Sequence, residues 1–240
     1  MPPRPALRYR VRRAEGPDDM GAVLALRSAR FRGGRAADGD RFDDACIHVM
    51  IEDEGGLACT FRAMEVAGGA GIGASYAAQH YDLGALAGFD APMIELGRFC
   101  VRAGPADADL LRLAWGALGQ IVDGCGAGLL FGCSSFEGTE AAAHADAFAL
   151  LAACHLAPRR WAPARRAAEA LRLAPRDYDG RAAMRGMPPL LRGYLGLGGW
   201  VSDHAVVDRD LGRMHVFTGL EIAAIPAPRL RVLRAIAVPV

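Results

Sequence analysis

Residues 93–101 read Met-Ile-Glu-Leu-Gly-Arg-Phe-Cys-Val, and residues 129–136 read Leu-Leu-Phe-Gly-Cys-Ser-Ser-Phe. Each run has the length of a strand and is apolar enough to be covered on both faces. Between them, about residues 106–123, lie Leu110, Leu111, Leu113, Leu118, Ile121 and Val122 at helical spacing. Strand, helix, strand is a crossover unit, so the two runs are predicted to lie parallel in one sheet. Ligands on such sheets bind beyond the carboxyl ends of the strands, here near Cys100–Gly104 and Ser134–Thr139. The first run also holds two opposite charges, Glu95 and Arg98, around Gly97. Charges in a buried strand are costly unless they pair or bind something. In a regular strand, residues three apart face opposite sides. A glycine there marks a bulge or a close backbone approach, and a bulge would turn both charges toward one cleft. A structural ion pair without chemistry is the competing reading.

Working outward, Tyr9–Arg13 alternates as a first strand. Pro17-Asp18-Asp19 opens a helix with Met20, Val23, Leu24 and Leu26 as its apolar face. Cys46–Asp53 and Leu57–Val66 flank a Glu-Gly-Gly turn and read as a hairpin. Ala67–Ser75 reads as a glycine-rich loop, about residues 139–155 as a helix, and Pro188–Trp200 as a helix ending in a turn. Arg213–Ile222 reads as a late strand and Arg229–Ile236 as a short basic amphipathic piece. The fold class is mixed α/β, a central mixed, twisted sheet flanked by helices. A single domain over 1–240 is expected, with an Arg-, Pro- and Ala-rich surface excursion at about 157–186.

Composition narrows the function. Apolar residues make up 52% of the chain and the net charge is +1, while mean hydropathy is +0.14. These values exclude general disorder and give no global reason to bind nucleic acid. All 28 basic side chains are arginine, which excludes a lysine Schiff base and a Walker-type phosphate loop. The six cysteines lack CxxC spacing and read as free thiols in a reducing compartment. The six histidines form no HExxH or Cys/His array, so no metal site is expected. The basic N-terminal run has no apolar core of a signal peptide, and no apolar stretch is long enough to span a bilayer. A cytoplasmic protein is expected. The segment Val101–Ala108 offers only Gly104 ahead of Pro105, which lacks an N–H. It suits one phosphate or a thioester carbonyl better than a pyrophosphate.

Several ordered blocks carry a resemblance. They are Leu26-Arg27-x-x-x-Phe31, Asp40-x-Phe42-Asp43, Thr60-Phe-Arg62, Glu95-Leu-Gly-Arg98-x-Cys-Val101, Gly132-Cys-x-Ser-Phe-x-Gly-Thr139 with His144-Ala145, and Pro188-Pro-Leu-Leu-x-Gly-Tyr-Leu-x-Leu-Gly198. As a set they resemble the bacterial ornithine–acyl-carrier-protein N-acyltransferases, the hemolysin-like branch of the GNAT superfamily. The front half, Arg27 to Arg98, also resembles the acyl-homoserine-lactone synthases. The chain departs from the family pattern near its late strand, where Arg213-Met-His215-Val216 stands in place of Thr-Thr-Asp-Val.

The resemblance implies a GNAT-like fold and transfer of a 3-hydroxyacyl chain from the phosphopantetheine of acyl carrier protein to an amino acid's α-amine, ornithine first. The product is a lyso-aminolipid, the first step of ornithine lipid biosynthesis, and no bound cofactor is implied. Deprotonating the α-ammonium needs a carboxylate or water relay, for which Glu95 is the candidate. Arg98 and Arg62 would orient it or hold the acceptor carboxylate in a bidentate grip. Asp40 and Asp43 would take a cationic side chain or order the N-terminal segment. Arg27 and Phe42 belong to the same substrate-binding set. Strand amides around Phe99, Cys100, Val101 and Arg102 would receive the thioester oxygen as it becomes an oxyanion, with Ser134 and Ser135 at the neighbouring strand end. Arg102, Arg112, Arg159 and Arg160 are the candidates for docking the acidic carrier protein, and Arg229–Ile236 for a weak peripheral contact with the inner membrane. Acylation of glutamine or another amino acid, acyl-homoserine-lactone synthesis and a non-catalytic carrier- or membrane-binding module are the alternatives.

Overall fold

A computed structural model describes residues 8–104 and 107–236. The strands are β1 Arg10–Arg13, β2 Cys46–Asp53, β3 Gly56–Val66, β4 Tyr81–Asp82 and β5 Met93–Val101, then β6 Leu129–Glu137, β7 Ala164–Arg165, β8 Ala170–Arg172, β9 Trp200–Asp208 and β10 Arg213–Glu221. The helices are α1 Gly16–Phe31, α2 Ala108–Gly124, α3 Ala145–Cys154, α4 Gly180–Gly186, α5 Pro189–Gly196 and α6 Ala227–Ala235. The described residues gather into two compact units. The first takes the described residues up to Met64, then Gly97–Gly124 and Arg231 onward; the second takes Glu65–Leu96 and Cys125–Leu230. Strand β5 contributes its first four residues to the second unit and its last five to the first. The N-terminal run before Arg8 and the predicted Pro105 break lie outside the described residues.

In the first unit β1, β2 and β3 form an antiparallel run, with Val11 opposite Ile51 and Val49 opposite Phe61. Four central residues of β2 and seven consecutive residues of β3 are buried, which explains their continuous apolar reading. Helix α2 buries Leu110, Leu113, Ala117, Leu118 and Ile121, the face its spacing predicts. Helix α1 differs from expectation. Only Val23 and Arg27 are buried on it, while Met20, Leu24 and Leu26 stay partly exposed. An arginine one turn after a buried valine is inside because it has partners there, described below.

In the second unit the first half of β5 pairs parallel with β6, from Met93↔Leu129 to Leu96↔Gly132. Strand β6 then pairs antiparallel with β10, β10 with β9, and β9 with β8. The sheet is therefore mixed, and the predicted parallel pair is present. Gly132 is required by close approach: a Cβ there would lie 2.2 Å from the Leu96 carbonyl oxygen. Strand β9, for which the sequence suggests no element beyond Trp200, starts at that residue and carries Ser202 and His204 buried. Their polarity breaks an apolar pattern, yet Ser202 Oγ donates to the His204 carbonyl at 2.6 Å and accepts from the Phe217 amide at 3.1 Å. The 157–186 excursion is partly ordered into β7, β8 and α4, the last capped by Asp179. No helix of the described residues is long and apolar enough to cross a membrane.

Candidate active site

The polar segment between α1 and β2 is folded onto arginines. Asp38 is fully buried, and its Oδ2 accepts from Arg27 Nε and Arg98 Nε, both at 2.9 Å. Its Oδ1 accepts from Arg32 Nε at 3.1 Å, and its carbonyl accepts from Arg27 Nη2. Asp40 takes a two-pronged grip from Arg62, at 2.5 and 2.9 Å, and a third bond from Arg98 Nη2 at 3.2 Å. Asp43 Oδ1 accepts from Arg27 Nη1 at 2.7 Å and Arg62 Nη1 at 2.6 Å, and its Oδ2 from the Asp40 amide at 2.9 Å. Phe42, also buried, lies 5.7 Å from the Arg62 guanidinium. Three carboxylates thus meet four guanidinium groups. Five of the six carboxylate oxygens accept from arginine and Asp43 Oδ2 accepts from the Asp40 amide, contacts that hold residues 38–43. Asp38 holds the centre of this network and was not singled out from the sequence. Its signal was the Asp38-Gly-Asp40-x-x-Asp43 spacing inside a polar, glycine-rich stretch.

Burial alone would raise the Asp43 carboxyl, but Arg27, the Asp40 amide and Arg62 bring it down to about 2. Burial raises the Asp40 carboxyl too, but the Arg62 guanidinium outweighs it and the group ends below its ordinary value. The neighbouring His48 is pushed below its ordinary value by burial, partly offset by the Asp43 carbonyl. The folded Asp43 value lies below its unfolded one, so its contribution is complete above about pH 5 and is lost as the pH falls toward 2. At about 1.4 kcal/mol per unit this is about 2 kcal/mol. In denaturant titrations at a series of pH values, the stability gap between wild type and Asp43→Asn should shrink over that window. A gap constant from pH 7 to 3 would contradict it.

Strand β5 departs from regular geometry at Arg98, whose φ is +51°, rather than at Gly97 where the sequence suggested it. A non-glycine residue in that region stores strain that its surroundings must hold, here the Asp38 and Asp40 contacts. Gly97 serves the other use of a strand glycine. A Cβ on it would sit 3.2 Å from Arg62 Nε and 3.5 Å from Arg62 Cγ, so the arginine lies across the bare backbone. Gly97→Ala should cost about 1–2 kcal/mol by crowding that side chain. The cost should fall in an Arg62→Lys background, whose slimmer chain leaves room. Equal costs in both backgrounds, measured by equilibrium unfolding, would remove this account.

Glu95 is buried, and its carboxylate accepts two backbone amides, Ala77 at 2.7 Å and Tyr76 at 2.8 Å. Both belong to the 3-10 turn at Ala77–Gln79 and its cap. Burial, with the nearby Glu95 charge, raises the Tyr194 hydroxyl far above its ordinary value. In the first unit Phe99 stacks on Phe61 with ring centroids 6.1 Å apart; Cys100 is buried and Val101 partly so. In the second unit Ser134 is buried and accepts from the Thr218 hydroxyl at 2.9 Å, and Ser135 lies opposite His215 in the β6–β10 register. Of the candidate docking arginines, Arg102 pairs with Asp53 at 2.6 Å, Arg112 with Asp109 at 3.2 Å and Arg160 with Glu221 at 2.9 Å. Their charge is therefore partly balanced locally, while Arg159 is exposed.

A family model described as an acetyltransferase (GNAT) domain matches residues 7–116. A coenzyme-A-dependent acyl-homoserine lactone synthase, BjaI, solved with MTA, shares the fold with a TM-score of 0.51. The match has 11% identity and covers 97% of this chain and 90% of that one. Mixed sheet, parallel β5–β6 pair and family match together define a GNAT-type acyltransferase. The L-ornithine N(alpha)-acyltransferase of Rhodobacter capsulatus is 31% identical over 237 residues, covering 91% of this chain and 92% of the relative. That of Brucella abortus is 31% identical over 203 residues, covering 78% and 71%. The chain belongs to the L-ornithine N(alpha)-acyltransferase family and is an acyltransferase enzyme.

Proposed function

We propose that the protein moves a 3-hydroxyacyl chain from the phosphopantetheine thioester of acyl carrier protein to the α-amine of ornithine, giving a lyso-aminolipid. The observation that carries this reading is the similarity to ornithine acyltransferases over nine-tenths of the chain. Strand β5 supplies the chemistry: the Glu95 carboxylate accepts the α-ammonium proton, directly or through water, and amides of Phe99–Val101 stabilise the oxyanion. Arg62 and Arg98, locked to Asp40 and Asp38, keep residues 38–43 in place. The balance of three aspartates against four arginines favours a second reading, acceptance of an uncharged side chain such as glutamine's. Helix α6, with Val232 66% exposed, supports weak peripheral contact with anionic lipid, suited to a product that partitions there.

The test incubates the purified protein with 3-hydroxyacyl carrier protein, or the matching acyl-coenzyme A, and each amino acid in turn. Products are read by mass spectrometry. N-acylornithine from the carrier-bound donor is the expected product; no N-acyl product from any pairing would remove the reading. Carrier docking on an arginine face further predicts that added salt raises the apparent KM for the carrier protein. A KM that does not respond to salt would leave the arginines without that role.

A further inference from the structure

The second unit holds a set of ligand-type side chains that the acyl-transfer reading does not use. His80 closes the 3-10 turn Ala77–Gln79, Asp208 ends β9 and His215 lies on β10. One ligating atom from each lies within 4.8 Å of the others. The two imidazole rings meet edge to face with centroids 4.8 Å apart. Nothing in the sequence flags them, because the histidines are far apart in the chain and match no ligand spacing.

The decisive detail is the tautomer of His215. Tyr81 is completely buried, and its hydroxyl donates to the His215 carbonyl at 2.8 Å. The same oxygen lies 3.0 Å from His215 Nδ1. A phenol has one proton to donate, and the 2.8 Å contact to the carbonyl takes it. With that proton committed to the carbonyl, the second contact is made by Nδ1–H donating to the phenol oxygen. The lone pair of His215 is then on Nε2, the arrangement in which an outer hydrogen bond orients a metal-ligating imidazole. Asp208 is also held, its Oδ1 accepting the Leu211 amide at 3.0 Å.

We propose that His80, Asp208 and His215 bind one divalent first-row transition cation of the Zn²⁺ type, leaving at least one coordination position for water. Two imidazoles and one carboxylate suit such a cation better than Mg²⁺ or Ca²⁺, which favour all-oxygen sets. Bound there, the ion would tie the β9–β10 pair to the turn whose amides hold Glu95.

The test uses full-length, tag-free protein stripped with a chelator and titrated with Zn²⁺ or Co²⁺ alone. The expected result is one equivalent retained after desalting, with ligand-field absorption for Co²⁺ and a raised melting temperature. His215→Ala and His80→Ala should abolish retention, and Asp208→Asn should weaken it at least tenfold. Circular dichroism checks folding. If the buried His215 variant fails to fold, the partly exposed His80 variant decides. Failure of the wild type to retain either metal, or equal retention by wild type and His80→Ala, would overturn the site. Neither result bears on the acyl-transfer reading, since no activity is measured.

Discussion

Arg27→Ala is expected to lose about 3–5 kcal/mol of unfolding free energy, the range for stranding a buried charge by deleting its partner. The side chains of Arg27 and Asp38 are 1% and 0% exposed. Arg27 bridges the Asp38 and Asp43 carboxylates and also holds the Asp38 carbonyl. Its removal leaves two aspartates and one carbonyl short of a donor that water can replace only by entering the core. Against a typical total of about 5–15 kcal/mol, the melting temperature should fall on the order of 10 °C. Arg27→Lys should recover part of this, because one ammonium cannot reproduce a planar fork reaching two carboxylates. Acylation should fall further than unfolding accounts for at the assay temperature, since residues 38–43 lose the anchor that orders them. Stability within about 0.5 kcal/mol of wild type, the range of ordinary surface changes, would mean the network can be dissolved without consequence.

What could be read from the chain follows from the range of the forces involved. Strand β5 is bounded as predicted, and the β2–β3 hairpin differs from its predicted bounds by one residue at Gly56. These elements rest on local apolar periodicity and turn residues, which the sequence displays directly. The parallel β5–β6 pair was legible because a single helix separates the strands. Strand β9 was not, because its buried Ser202 and His204 look solvated until their partners on the neighbouring backbone are known. The same limit applied to charges. Arg27, Arg62, Arg98, Asp40 and Asp43 were recognisable as a set, but their pairing and the central place of Asp38 depend on contacts across up to sixty residues of chain. For Gly97 the sequence suggests a bulge that would turn both charges to one cleft, whereas the position of Arg62 points to close approach. The docking arginines show the same limit: Arg102, Arg112 and Arg160 have carboxylate neighbours that their places in the chain do not reveal.

Glu95→Gln is expected to lower kcat by about 100-fold or more, the usual scale of a general base. The substitution keeps volume but changes hydrogen bonding in two ways. The glutamine oxygen can accept one of the Tyr76 and Ala77 amides, while its NH₂ group faces the other donor. Some loss will therefore come from a loosened turn, and stability alone cannot separate that from lost proton transfer. The pH dependence can. Two amides fix the carboxylate's position, and we propose it as the acceptor for the α-ammonium proton. If it performs that role, the deficit of Glu95→Gln should shrink as the pH rises toward the amine's own pKa, because the nucleophile then arrives unprotonated. A loss arising only from a displaced turn would keep the same ratio to wild type at every pH. Proton transfer should also depress kcat and kcat/KM together, whereas a turn that merely shapes acceptor binding should act through KM. A deficit independent of pH, with KM raised and kcat near normal, would make Glu95 the anchor of the Tyr76–Ala77 turn and nothing more.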